Sequence, residues 1–204
     1  MHLEAQNLCC QRGAQILFSD INFRLEGGKV LLVEGKNGAG KTTLLKLLSG
    51  LRRPDKGEIK WDGVAINAAD SQFNQQLAWL GHQNPLKEEQ TALENLAMLG
   101  AIRTRNQRDE FDALSAVGLG RVKHKPVKTF SAGMKRRLAL ASLLIADTRL
   151  WILDEPQAAL DKAGIALYEQ LATEHLKNGG MIVMTSHHEV AIDDIYIQRL
   201  NLGH

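Results

Sequence analysis

The sequence is poor in aromatic residues and in cysteine, carries little net charge, and holds no long apolar run. Phe, Trp and Tyr make up 5% of the chain, too few to interleave with cations as stacking platforms for bases. The formal net charge is +2, so no general attraction to nucleic acid is expected and any basic surface must be local. The two cysteines, Cys9 and Cys10, are adjacent, which excludes a zinc knuckle and a C-x-x-C-H haem attachment; burial in a reducing compartment is expected instead. The seven histidines lack ligand spacing, and no structural metal is expected. No apolar stretch approaches the roughly 18 residues of a membrane span. Met1-His2-Leu3-Glu4 has neither the basic start nor the apolar core of a signal peptide, so a cytosolic chain is expected.

With 204 residues, 44% of them hydrophobic, the chain can bury a sizeable core as one compact domain. Its organising stretch is Gly35-Lys36-Asn37-Gly38-Ala39-Gly40-Lys41-Thr42-Thr43, between the apolar run Val30–Val33 and the periodic segment from Leu44 to Leu51. Strand, glycine-rich turn and helix in that order make a phosphate-binding loop. The glycines let successive backbone N–H groups turn inward, and the helix start attracts anions. Lys41 is placed to reach the β- and γ-phosphates, and the hydroxyl of Thr42 to bind Mg²⁺. A nucleoside triphosphate with Mg²⁺ is the expected ligand.

Residues 3–34 alternate and break at Gly13 and Gly27-Gly28, which predicts short antiparallel strands leading into the phosphate-loop strand. Further strands are predicted at 58–61, before the turn Asp62-Gly63, and at 77–81, whose end carries His82-Gln83. From about 84 to 147 only helices are expected. Thr91 with Glu94 reads as a capping box, and 111–117 as a helix stopped by Gly118. These helices form either a separate lobe (84–147) beside a core lobe (1–83 and 148–204) or ordinary layers on the sheet.

Between Arg121 and Arg137 the chain carries Lys and Arg and no acid, the usual mark of a solvated basic face. Its end holds Ser131 as a helix cap with Gly133 and the cations Lys135, Arg136 and Arg137, an arrangement suited to an anion. The run Leu150–Leu153 ends in Asp154 and Glu155. An aspartate at the end of a parallel strand beside a phosphate loop can hold Mg²⁺, and Glu155 can polarise an attacking water; a salt-bridged pair capping a strand is the alternative. A helix is predicted over 163–178, then a buried strand over 181–185 with Ser186-His187 at its end, and an alternating tail over 195–202 that can finish the sheet.

Taken in order, the phosphate loop, Gln83, Ser131-Ala132-Gly133, Asp154-Glu155 and His187 resemble the motifs of an ABC-type ATPase over essentially the whole chain. The resemblance implies an α/β P-loop fold with a mixed core sheet, an antiparallel β subdomain and a helical subdomain, and it implies that the nucleotide is ATP. It also implies that Gln83 contacts Mg²⁺ and couples to a partner, that 130–134 is the signature motif, that 159–161 is the D-loop, and that His187 is the switch histidine. A head-to-tail homodimer is implied, with the phosphate loop of one subunit and Ser131 and Gly133 of the other sandwiching each ATP. Two departures stand out. Phe130 and Met134 replace the usual Leu and Gln, and no aromatic precedes Phe18 for stacking on adenine, a place Arg12 can take with its planar guanidinium.

Within that family, the small size, Leu8–Arg12, Trp79–Gln83 and Leu150–Pro156 are similar to the ATPase subunits of cytochrome c maturation complexes, often described as haem exporters. That similarity implies separate integral membrane subunits, a cytoplasmic position on the bacterial inner membrane, and a periplasmic haem chaperone served indirectly. An exporter ATPase for another cargo, and a soluble ABC-type protein acting on ribosomes or DNA, are the alternatives.

Overall fold

The computed structural model describes residues 1–66, 71–101, 108–187 and 190–203. Two sheets carry the fold. In the first, β1 (His2–Arg12) and β2 (Gln15–Glu26) form an antiparallel hairpin that turns at Gly13, and β1 pairs on its other side with β4 (Lys56–Trp61). A two-residue turn at Asp62 and Gly63, both with positive φ (48° and 82°), joins β4 to the short β5 (Val64–Ala65). The second sheet has the order β6-β7-β8-β3-β9, from β6 (Leu77–Leu80), β7 (Leu150–Asp154), β8 (Met181–Thr185), β3 (Val30–Glu34) and β9 (Ile197–Asn201). Every pairing in it is parallel. The expected mixture of strand directions therefore lies between the two sheets rather than within the core sheet. The antiparallel reading of 3–34 likewise stops at Glu26, because β3 belongs to the parallel sheet.

The central strands are apolar runs because both faces are covered. Alternation divides them: Leu31, Val33, Ile152 and Val183 pack with α1 (Lys41–Leu48) and the antiparallel sheet, whereas Leu32, Leu153, Ile182 and Met184 pack toward the helices on the other face. Those helices are α3 (Ala92–Ala101), α4 (Glu110–Ala116), α5 (Ala132–Ile145) and α6 (Lys162–Lys177). The short α2 (Ser71–Gln76) precedes β6, and only Phe73 of it is buried. Helix starts are set by side chains. Thr91 and Glu94 cap reciprocally, the Thr91 N–H donating to Glu94 at 2.8 Å and the Glu94 N–H to the Thr91 hydroxyl at 3.2 Å. Asp109, Ser131 and Asp161 cap α4, α5 and α6.

At the start of β7, Trp151 stacks on His175 of α6, with centroids 4.0 Å apart and planes 9° from parallel. Burial pushes the His175 imidazole down to about 4. Since the unfolded side chain titrates near 6.5, only the unfolded state takes up this proton as the pH falls from about 6.5 to 4. Stability from the neutral ring is full above that window and declines through it, by roughly 3 kcal/mol as an upper bound. Thermal melts at pH 7.5 and pH 4.5 are expected to show a smaller drop for His175→Gln than for the parent; equal drops would place the acid sensitivity elsewhere.

Candidate functional site

The site forms where β3, β7 and β8 end side by side, the edge at which parallel sheets bind ligands. After β3 the chain must turn sharply to start α1, and glycine makes the turn possible. Gly35 has φ 147° and a Cβ there would collide with the carbonyl of Leu202; Gly38 and Gly40 sit at φ 85° and 98°. Gly40 is the N-cap of α1 and offers no side-chain cap, which leaves first-turn N–H groups open to an anion. Lys41 folds back over the loop, its Nζ donating to the carbonyls of Gly35 (2.7 Å) and Lys36 (3.3 Å).

Across from the loop, Asp154 is 4% exposed and is held by two threonines. The Thr42 hydroxyl donates to one carboxylate oxygen at 2.8 Å and the Thr185 hydroxyl to the other at 2.7 Å. Thr185 Oγ1 also accepts the backbone N–H of Glu155 at 3.0 Å, so one hydroxyl fixes both acids. Glu155 is left-handed at φ 50°, an unusual conformation for a residue with a side chain and one that clusters at functional sites. Its Oε1 lies 3.0 Å from His187 Nε2, and His187 stands just beyond β8.

Lys41, Thr42, Asp154, Glu155 and His187 line one cleft of about 190 Å³, together with Arg12 at the end of β1 and Asn37, Gly38, Gly40 and Thr43 of the loop, while Thr185 lies buried behind the acids. The volume is below the ~300 Å³ at which pockets enclose a whole ligand, and it suits part of a nucleotide. Ala39 and Gly35 shape the turn without lining the cleft. Gln83, exposed after β6, stands outside it, as do the exposed Ser131 and the half-buried Gly133 at the start of α5. The Ser131 Oγ accepts the Met134 N–H at 3.2 Å. A Cβ on Gly133 would come within 3.1 Å of the Ala159 carbonyl, so the start of α5 abuts residues 159–161. Phe130 is buried in the core, and Met134 packs against it.

The basic run is a solvated face in its first part, where Arg121, Lys125 and Lys128 are exposed, but its acids come from elsewhere in the chain and its end is drawn inward. Lys128 pairs with Glu89 at 2.7 Å, Lys135 with Glu88 at 2.5 Å and Arg137 with Asp161 at 2.6 Å. The Gly164 N–H and then Arg137 hold the Asp161 carboxyl below its usual range. Arg136 is 2% exposed, and its guanidinium turns inward to backbone carbonyls behind the acids. None of the three cations beside Ser131 is thus an unpaired surface charge.

An ATPase of the ABC type is the class that this fold and this phosphate-loop site define. The family described as "ABC transporter" matches residues 18–158, and the chain belongs to it. Among its relatives is the cytochrome c biogenesis ATP-binding export protein CcmA of Nitrosospira multiformis, 45% identical over 202 residues that cover 98% of each chain. A putative ABC transporter ATP-binding protein from Pyrococcus furiosus superposes with a TM-score of 0.84 at 27% identity, covering 99% of this chain and 98% of that one. The ATP-binding cassette MJ0796, solved as a dimer in a post-hydrolysis state with ADP and Pi, shares the fold (TM-score 0.80, 22% identity, 98% of this chain and 95% of that one). Among the described residues no helix is long and apolar enough to cross a membrane.

Proposed function

We propose that this chain is the ATP-hydrolysing subunit of a membrane export complex serving cytochrome c biogenesis, where its cycle drives haem export or release of a haem-loaded periplasmic chaperone. The observation that carries the ATPase reading is the meeting of the phosphate loop, the Thr42–Asp154 pair and the Glu155–His187 pair in one cleft. The cytochrome c reading is carried by the name of the Nitrosospira relative and the near full-length match to it.

In this reading the N–H groups of residues 37–43 and the Lys41 ammonium bind the triphosphate, and Arg12 stacks on the base. Thr42 and Asp154 supply hard oxygen donors of the kind Mg²⁺ takes, with Gln83 reaching in from its turn; the ion, when bound, neutralises charge on the β- and γ-phosphates. Glu155 accepts a proton from the attacking water, and His187 steadies the carboxylate and reaches the γ-phosphate. Ser131 and Gly133 stand outside the cleft of their own chain, so their contact with phosphate is made to the ATP of a second copy in a head-to-tail dimer. Separate integral membrane subunits hold the dimer on the cytoplasmic face of the bacterial inner membrane.

The test is genetic and chemical. A host deleted for this gene is expected to lack haem-stained c-type cytochromes; the parent chain restores them, and Lys41→Ala, with ATP affinity reduced by about tenfold or more through loss of the phosphate-bound cation, does not. Normal c-type cytochromes in the deletion host would move the ATPase to another cargo.

A further inference from the structure

We propose that Arg136 is a positioning residue that locks Glu155 in its left-handed conformation and ties both acids of the cleft to helix α5. The proposal rests on Glu155 being the base. A guanidinium has five N–H donors in a planar fork. Here all five are used: Nε donates to the Pro156 carbonyl (3.0 Å), Nη1 to the Gly81 carbonyl (2.9 Å) and Asn84 Oδ1 (3.0 Å), and Nη2 to the carbonyls of Asp154 (3.0 Å) and Glu155 (2.7 Å). The acceptors are three consecutive carbonyls of the 154–156 turn and two groups of the 81–84 turn. The side chains of Asp154 and Glu155 point to the cleft while their carbonyls point to Arg136.

The cation has no carboxylate within direct ion-pair contact among the described residues, and burial pulls its pKa down. A fully buried charge held by carbonyls is a costly arrangement for stability alone, since apolar replacements of similar volume often do as well. It does fix geometry. At Glu155 a non-glycine residue must be kept at φ 50°, and three clamped carbonyls in succession over-determine that conformation. Arg136 lies five residues after the Ser131 cap on the same helix, so displacement of the α5 start is transmitted to the backbone of Glu155. Lysine cannot substitute, because a point ammonium with three donors cannot span two turns.

The experiment compares the full-length parent, Arg136→Gln, Arg136→Lys, Asn84→Ala and Glu155→Gln by steady-state hydrolysis, equilibrium ATP binding, thermal melting and amide exchange. Arg136→Gln is expected to melt cooperatively, bind ATP within about twofold of the parent, and lose about tenfold in kcat, with faster exchange confined to 81–84 and 156–160. Arg136→Lys does not restore kcat. If Arg136→Gln fails to fold, Asn84→Ala, which removes one of the five acceptors, decides: a two- to threefold fall in kcat at unchanged ATP affinity supports the proposal, and parent-like kcat overturns it. Parent-like kcat in Arg136→Gln, or kcat and ATP affinity falling in step, overturns it while leaving the base assignment intact. Parent-like turnover in Glu155→Gln overturns the base assignment and this proposal together.

Discussion

Glu155→Gln is expected to bind ATP as the parent does and to lose roughly 10²-fold or more of its turnover, the scale of a missing general base. Gln matches Glu in shape, and the backbone at 155 is fixed from both sides, by Thr185 Oγ1 on its N–H and by Arg136 on its carbonyl. The amide therefore occupies the place of the carboxylate, next to His187, without the basicity needed to take a proton from water. Affinity is expected to be unchanged because, in the proposed reading, the triphosphate is held chiefly by the 37–43 loop, on a different element. Single-turnover hydrolysis and equilibrium nucleotide binding on the same preparation separate the two effects. Turnover equal to that of the parent removes Glu155 from the proton transfer.

Ser131→Arg is expected to abolish ATP-dependent dimerisation while leaving nucleotide binding in place. Ser131 is exposed and 131–133 lies outside the cleft of its own chain, so a long cation there obstructs only what approaches from outside. The substitution also deletes the cap bond to Met134, a cost of about 1 kcal/mol, against a total stability of about 5–15 kcal/mol for a typical domain. Ser131→Ala separates bulk from the rest, since it removes the cap and the proposed hydroxyl contact with phosphate but adds no obstruction; it is expected to fold slightly less stably and still to dimerise, more weakly than the parent. Light scattering with ATP in a Glu155→Gln background reads the result. A normal dimer from Ser131→Arg rules out the sandwich for this chain.

Much of the fold and of the cleft is legible in the sequence because the relevant signals are local. The runs at 30–33, 150–153 and 181–185 announce strands covered on both faces, and Thr91 with Glu94 announces a helix start. The tail is legible as a strand, but not its parallel place beside β3, which depends on residues more than 150 positions away. Helix α2 escapes because six mostly polar residues with one buried anchor show no periodicity. Thr185 escapes because it closes an apolar run, and nothing in that run shows its hydroxyl meeting a carboxylate 31 residues earlier. Arg136 misleads outright. A cation among cations reads as surface, and its burial depends on carbonyls gathered from turns 18 to 55 residues away.

The most direct test of the central claim is to express the tagged Glu155→Gln chain in its own host, extract the membranes with ATP and Mg²⁺, and identify what co-purifies while reading haem by absorbance. An ATPase of a cytochrome c biogenesis exporter predicts recovery with small integral membrane subunits and a haem-loaded chaperone. Recovery of an unrelated permease, or of a soluble chain bound to ribosomes or DNA, would contradict it.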